Sequence, residues 1–243
     1  MCYSEWGVNA LKNYVAKATT ARAAYLAGPV AGLHVQFSSN SKLDGVLAVG
    51  TLPVIDCGGA CKDCKSGCYA VRHTVGRCRQ ALNRCARNSA ILAADRDRFF
   101  AEISRAMKST RVFRFNTEGE VLDYDYFRRA VEVSAENERT EVLIFTKRAD
   151  VVNTYMDNGG TIPANMHVIL SAWSDVSAVN NPYKFPISAP DFSGADVPAK
   201  YRRTFDPCGL RVVECCGDCM ACYLSHVGCF GAVSGDVVRF AAH

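Results

Sequence analysis

Cys57-Gly58-Gly59-Ala60-Cys61-Lys62-Asp63-Cys64-Lys65-Ser66-Gly67-Cys68-Tyr69-Ala70 places four cysteines within twelve residues, separated by three, two and three positions. Glycines at 58, 59 and 67 let the backbone curl so that several sulfurs can face inward. A second set lies near the other end: Cys208, Cys215, Cys216, Cys219, Cys222 and Cys229. Cys216, Cys219 and Cys222 follow one another at CxxCxxC spacing. Thiolates at such short separations suit the corners of a cubane cluster. Zinc is the competing reading at the second set, where His226 could join paired cysteines in a tetrahedral site.

The composition supports metal over disulfides. The chain has 243 residues, 49% hydrophobic and 21% charged, enough for one well-packed domain and near the size of one α/β barrel. The N-terminus shows no basic and apolar leader, and no apolar run is long enough to span a membrane. A cytoplasmic chain is therefore expected. There, thirteen cysteines point to metal, and an odd number cannot all pair within one chain. The net charge of +4 permits an anionic partner such as nucleic acid without arguing for one.

Outward from the first cysteine loop, 46–55 reads as a buried strand delivering the chain into it. Before it, 6–26 reads as a helix stopped by Gly28-Pro29, and 33–37 as a strand. After it, about 75–107 reads as two helices broken near Asp95, with Cys78 and Cys85 as small core residues. Then strand and helix alternate: 111–115, 124–135, 141–145, 149–156 and 166–172. That order predicts a parallel sheet with crossover helices. The stretch 174–207, with prolines at 182, 186, 190 and 198, reads as loop. A short helix at 220–226 and a closing strand at 236–240 complete the pattern. About six strands are expected, so the predicted fold is α/β, an incomplete or irregular TIM-like barrel with cysteine-rich metal-binding loops. It forms one unit over 1–243, with an N-terminal helix at about 5–27 and a C-terminal cysteine knot at about 208–229.

The spacing Cys57-x3-Cys61-x2-Cys64 is similar to that of radical S-adenosylmethionine enzymes, in which three cysteines leave one iron open. Cys68 could instead saturate the cluster and leave an electron carrier. The residue before the last cysteine is commonly aromatic in those enzymes; here it is Asp63. The 111–115 strand ends in Asn116-Thr117-Glu118-Gly119-Glu120. This resembles the Gly-Gly-Glu element that binds the amino group of S-adenosylmethionine, with Glu118 in place of the first glycine. Asn116, Glu118, Gly119 and Glu120 are thus the candidate cofactor-binding residues. The candidate metal ligands are Cys57, Cys61, Cys64, Cys68, Cys208, Cys216, Cys219 and Cys222. His34, His73 and His167 read as structural, and Trp173 as a core residue at a strand end.

Several short elements resemble the phage family called gene product 88. They are Asn40-Ser41-Lys42-Leu43, Leu52-Pro53, Cys64-Lys65-Ser66-Gly67-Cys68-Tyr69-Ala70, the 111–120 strand and turn, Phe145-Thr146-Lys147, Ser171-Ala172-Trp173, Cys216-Gly217-Asp218-Cys219-Met220-Ala221-Cys222 and the terminal Phe240 to His243. The likeness spans about 33–243. It implies a first set of Cys57, Cys64 and Cys68, with Cys61 an addition, and a second of Cys208, Cys216, Cys219 and Cys222. The family's usual turn carries a histidine that this chain lacks at Asn116. The expectation is an iron–sulfur protein with one or two 4Fe–4S clusters, in the host cytoplasm if phage-encoded, with possible radical S-adenosylmethionine chemistry. The alternatives are a non-enzymatic structural or electron-transfer protein, and a zinc-stapled, base-modifying transferase acting on nucleic acid.

Overall fold

The computed structural model describes residues 8–38, 45–59, 64–65, 68–72, 74, 79–172, 176–191, 207–215 and 217–241. Cys61, His73, Cys78, Trp173 and Cys216 lie outside the described residues, as does the end of the chain beyond Ala241. The elements in chain order are α1 (Val8–Leu26), β1 (Leu47–Ala48), α2 (Tyr69–Arg72), α3 (Arg79–Ala94), α4 (Arg96–Met107), β2 (Val112–Phe115), α5 (Tyr124–Glu136), β3 (Glu141–Thr146), α6 (Ala149–Asp157), β4 (Met166–Ser171), β5 (Ile187–Asp191), β6 (Val212–Glu214), α7 (Cys219–Ser225), α8 (Gly228–Gly231) and β7 (Val237–Ala241).

The strands form one seven-stranded sheet in the order β1-β2-β3-β4-β5-β7-β6, and every pairing is parallel. Side chains alternate strictly between its two faces. Phe113, Phe115, Val142, Ile144, Val168, Leu170, Ile187 and Val237 form the outer face and pack against Phe99, Phe100 and Ile103 of α4, Phe127 and Val131 of α5, and Val151 and Val152 of α6. Ala48, Val112, Leu143, Ile169 and Val238 form the inner face and pack against Cys222, Cys229 and Phe230 of the last crossover. The change of face follows from handedness. The connections from β1 to β4 step one way along the sheet. The chain then passes over the β7 position to β6 and comes back, so a right-handed crossover puts α7 and α8 on the opposite face.

The sheet does not close: β1 and β6 are its two ends, so the expected incomplete or irregular barrel takes the form of an open parallel sheet. It does curl. Flat, β3 and β7 would stand about 14 Å apart, yet the rings of Phe145 and Phe240 meet on the inner face at 5.8 Å between centroids. Two strands lie where sequence pattern predicted none. β5, at 187–191, contains Pro190. The Ile187 amide donates to Asp236 O, toward β7. Alternation therefore turns the Pro190 nitrogen toward β4, which has already ended at Ser171, so its missing donor breaks no ladder bond. β6 is three residues long, too short for a periodic signal. Conversely, 33–37 is no strand. Its backbone is held by side chains: the Val35 amide donates to Glu102 Oε2 at 2.7 Å, the Gln36 amide to Asn88 Oδ1 at 2.8 Å, and Asn88 Nδ2 returns a bond to Gln36 O. β1 is also much shorter than the predicted 46–55, because beyond Val49 the chain turns into the cysteine loop.

Polar side chains mark where helices stop and start. Asp95 ends α3 and caps α4 by accepting from the Arg98 amide at 3.0 Å, and Asp123 caps α5 through the Tyr126 amide at 2.8 Å. Below α5, Asn165 Nδ2 donates to the carbonyls of Ser134, Asn137 and Thr140 at 2.9, 3.2 and 2.8 Å. Ser134 O and Asn137 O also accept from the Asn137 and Thr140 amides, and Asn165 fills the remaining capacity of this buried helix end. Asn165→Ala is expected to cost about 1–3 kcal/mol, read as a lower urea midpoint with an unchanged slope.

Candidate functional site

The first cysteine loop leaves β1 at the C-terminal ends of the strands. Thr51 donates its amide to Glu118 O at 3.0 Å, which clamps the loop to the turn after β2. Val54 takes a φ of +68°, a strained region for a β-branched residue. That geometry lets the Val54 amide donate to Cys57 Sγ at 3.2 Å. Burial pushes the Cys57 thiol well above its ordinary range, opposed by that amide, and the nearby Glu120, Cys68 and Cys64 push it further. Cys57, Cys64 and Cys68 are all reduced and half-buried. Tyr14 of α1 closes the loop from behind, donating its hydroxyl to Pro53 O at 3.0 Å. Asp56, which sequence reading passed over, is buried inside the loop, accepting from the Leu52 amide at 2.9 Å and facing Arg22 at 3.7 Å. Burial raises its carboxyl, against hydrogen bonds and the Arg22 charge.

The acidic turn is fully engaged with the protein. Glu118 is 7% exposed and pairs with Arg84 of α3 at 2.7 Å, while Thr117 Oγ1 donates to its other oxygen at 2.7 Å. Glu120 accepts from Thr146 Oγ1 at 2.6 Å, the Val121 amide at 2.8 Å and the Lys147 amide at 2.9 Å. Both carboxylates thus bind neighbouring strands and helices together. Gly119 has a φ of +82°, and a Cβ there would strike Thr51 Oγ1; a Cβ on Gly50 would strike Glu118. Asn116 is left-handed at a φ of +56° and accepts from Tyr126 Oη at 2.8 Å. Its Nδ2 is buried with no acceptor. Arg84 and Asp56 carried no motif signal, and Thr146 stood out only within the family-like Phe145-Thr146-Lys147; the tertiary fold brings all three to the turn.

The second set divides. Cys208 lies before β6, while Cys215, Cys219 and Cys222 lie after it, so β6 separates Cys208 from the rest. Cys215, Cys219 and Cys229 converge instead on the inner face. Burial lifts the Cys229 thiol to about 12, and Cys215 and Cys219 add to the rise while Arg114 opposes it. Burial also raises Cys219 against Arg114, whose Nη1 donates to Cys219 Sγ at 3.8 Å. Cys222 is disulfide-bonded. Among the described residues, no three cysteine, histidine, aspartate or glutamate side chains stand in metal-holding geometry. His34 faces Glu102 at 3.4 Å, and His167 Nε2 lies 2.8 Å from Glu141 Oε2. Cys85 is wholly buried in the core between α1 and α3, as its spacing predicted. No helix among the described residues is long and apolar enough to cross a membrane.

The sequence model of the gene product 88 family matches residues 10–202. The chain belongs to the gene product 88 family. No curated protein and no solved structure matches it. The family match begins earlier than residue 33, where the motif likeness starts, and ends before Cys208. It takes in the first cysteine loop, the acidic turn, Arg84 and Arg114; the inner-face cysteines fall beyond it.

The Arg84–Glu118 pair is the testable hinge of this site. Arg84→Met leaves a buried carboxylate without its counter-charge and is expected to cost about 3–5 kcal/mol. Adding Glu118→Gln should recover much of that loss, and a double-mutant cycle by urea unfolding measures the coupling.

Proposed function

We propose that this member of the gene product 88 family is an iron–sulfur protein holding a 4Fe–4S cluster in the loop after β1. The observation that carries the reading is the gathering of Cys57, Cys64 and Cys68 at the C-terminal end of β1, with the Val54 amide already bonded to the Cys57 sulfur. The chemistry of the donors suits the group, although the described thiols do not stand in metal-holding geometry: they are reduced, half-buried and come from one short loop, with an N–H aimed at the Cys57 sulfur. When bound, a cluster supplies one-electron transfer.

The protein's part is to bind and to shield. Cys57, Cys64 and Cys68 would ligate, with Cys61 as a further candidate. Tyr14 and Leu52 exclude water behind the loop. Glu120, fixed by three hydrogen bonds, holds the loop's neighbour β3 at a set distance. At the inner face, Cys215, Cys219 and Cys229 would serve a second metal only after rearrangement, and Cys222 only after reduction. Iron–sulfur and zinc both remain open there.

An electron-carrying or structural cluster is the primary reading, because Glu118 and Glu120 already spend their oxygens within the protein. One observation favours the narrower reading of S-adenosylmethionine binding: Asn116 presents a buried amide donor without an acceptor, in a left-handed turn beside the loop. Protein purified without oxygen is expected to carry about four or eight irons with matching sulfide and a broad absorption band near ~400 nm. Single Cys57→Ser, Cys64→Ser or Cys68→Ser changes should each remove a cluster's worth of iron, whereas Cys85→Ser should not. A Cys61→Ser variant that keeps full iron leaves three ligands and an open iron, and calorimetry with S-adenosylmethionine then tests the narrower reading. A colourless protein with stoichiometric zinc sinks the proposal.

A further inference from the structure

Several arginines of this structure are matched with acids: Arg84 with Glu118, Arg96 with Asp123, Arg148 with Asp150 and Arg239 with Glu214. Arg114, on the inner face of β2, is not. Among the described residues it forms no ion pair with a carboxylate. Its Nη1 reaches the Cys219 sulfur at 3.8 Å, and its Nε is shut away from solvent with no acceptor. Its guanidinium lies 4.8 Å from the centre of the Phe145 ring. Aromatic contact holds the group flat and stabilises its charge, yet leaves that charge uncompensated.

Its surroundings offer aromatic and hydroxyl contacts. Phe145 and Phe240 meet edge-on across the curl of the sheet, both half-exposed. Ser171, also half-exposed, donates or accepts with Ser188 at 3.1 Å on the same face. These groups stand toward the C-terminal ends of parallel strands, where open α/β sheets bind their ligands. The two cysteine-bearing segments flank them. On this face α7 and α8 pack through Cys222, Cys229 and Phe230, with Cys219, Met220 and Tyr223 partly buried beside them.

We propose that Arg114, Phe145 and Phe240 form a binding site for a small aromatic anion, its carboxylate or phosphate on Arg114 and its ring on the phenylalanine pair. A partly desolvated guanidinium with no counter-charge is costly to hold. An anion delivered to its exposed edge removes that cost and gains a charge-assisted hydrogen bond. The rings give an apolar seat that water cannot use. The site stands on the geometry of β2, β3 and β7, with Arg114 also in contact with Cys219.

The test is calorimetry on protein purified without oxygen, titrated with phenyl phosphate, benzoate and the neutral benzyl alcohol. One of the two anions is expected to bind at one per chain, and benzyl alcohol at least about tenfold more weakly. Which anion binds more tightly distinguishes a phosphate from a carboxylate ligand. Arg114→Gln should weaken the bound anion by about tenfold or more, with Arg114→Lys between it and the parent protein. The comparison with benzyl alcohol needs no variant, so it holds even if Arg114→Gln folds poorly. Equal binding of benzyl alcohol and the anions, no binding of either anion at millimolar concentration, or undiminished binding by a folded Arg114→Gln would each overturn the proposal. Iron content, measured on the same samples, reports separately on the cluster.

Discussion

A parallel strand can be joined to its neighbour only by a crossover, and crossovers are right-handed. In this chain that constraint acts twice with opposite results. While the strands step from β1 to β4, it lays α3 to α6 along the outer face. When the chain oversteps to β6 and returns as β7, the same handedness lays α7 and α8 on the inner face. The sheet therefore cannot close into a barrel with an empty mouth: the segment carrying Cys219, Cys222 and Cys229 occupies part of the inside. Both cysteine-bearing segments end up at the C-terminal ends of the strands, one leaving β1 and the other leaving β6.

Polar chemistry at that end is arranged to hold backbone together. Glu118 and Glu120 stand two residues apart on the turn after β2 and serve different neighbours. Glu118 ties the turn to α3 through Arg84, and Glu120 ties it to β3 through Thr146 and the Lys147 amide. Gly50 and Gly119 allow the two loops to approach until a Cβ on either would collide. Strain at Val54 and Asn116 is retained inside this frame, where the surrounding bonds determine the backbone. The frame is rigid, and the thiols are what it presents.

Charge balance separates the two cysteine regions. Around the first loop, Arg22 faces Asp56 and Arg84 faces Glu118, while Glu120 is held by neutral donors. On the inner face, Arg114 stands against Cys219 and Phe145 without an acid among the described residues.

Much of the fold was legible in the residues themselves. Periodicity placed α4, α5, α6, β2, β3 and β4 almost to the residue, because each is long enough to show an alternating or helical face. The cysteine spacings drew attention to the loops after β1 and β6, and Glu118 and Glu120 stood out as an acidic turn after a strand. Short or masked signals failed. β5 was hidden by Pro186 and Pro190, which look like loop residues until the neighbouring strand is seen to end below Pro190. The stretch 33–37 alternates as a strand does, but Glu102 and Asn88, more than fifty residues away, take its hydrogen bonds. The open sheet, the inward placement of the last crossover, the separation of Cys208 from Cys219 and the unmatched charge of Arg114 were decided by tertiary structure alone. Each depends on which strands become neighbours, and local sequence determines which face a residue takes on its own strand without determining what lies across from it.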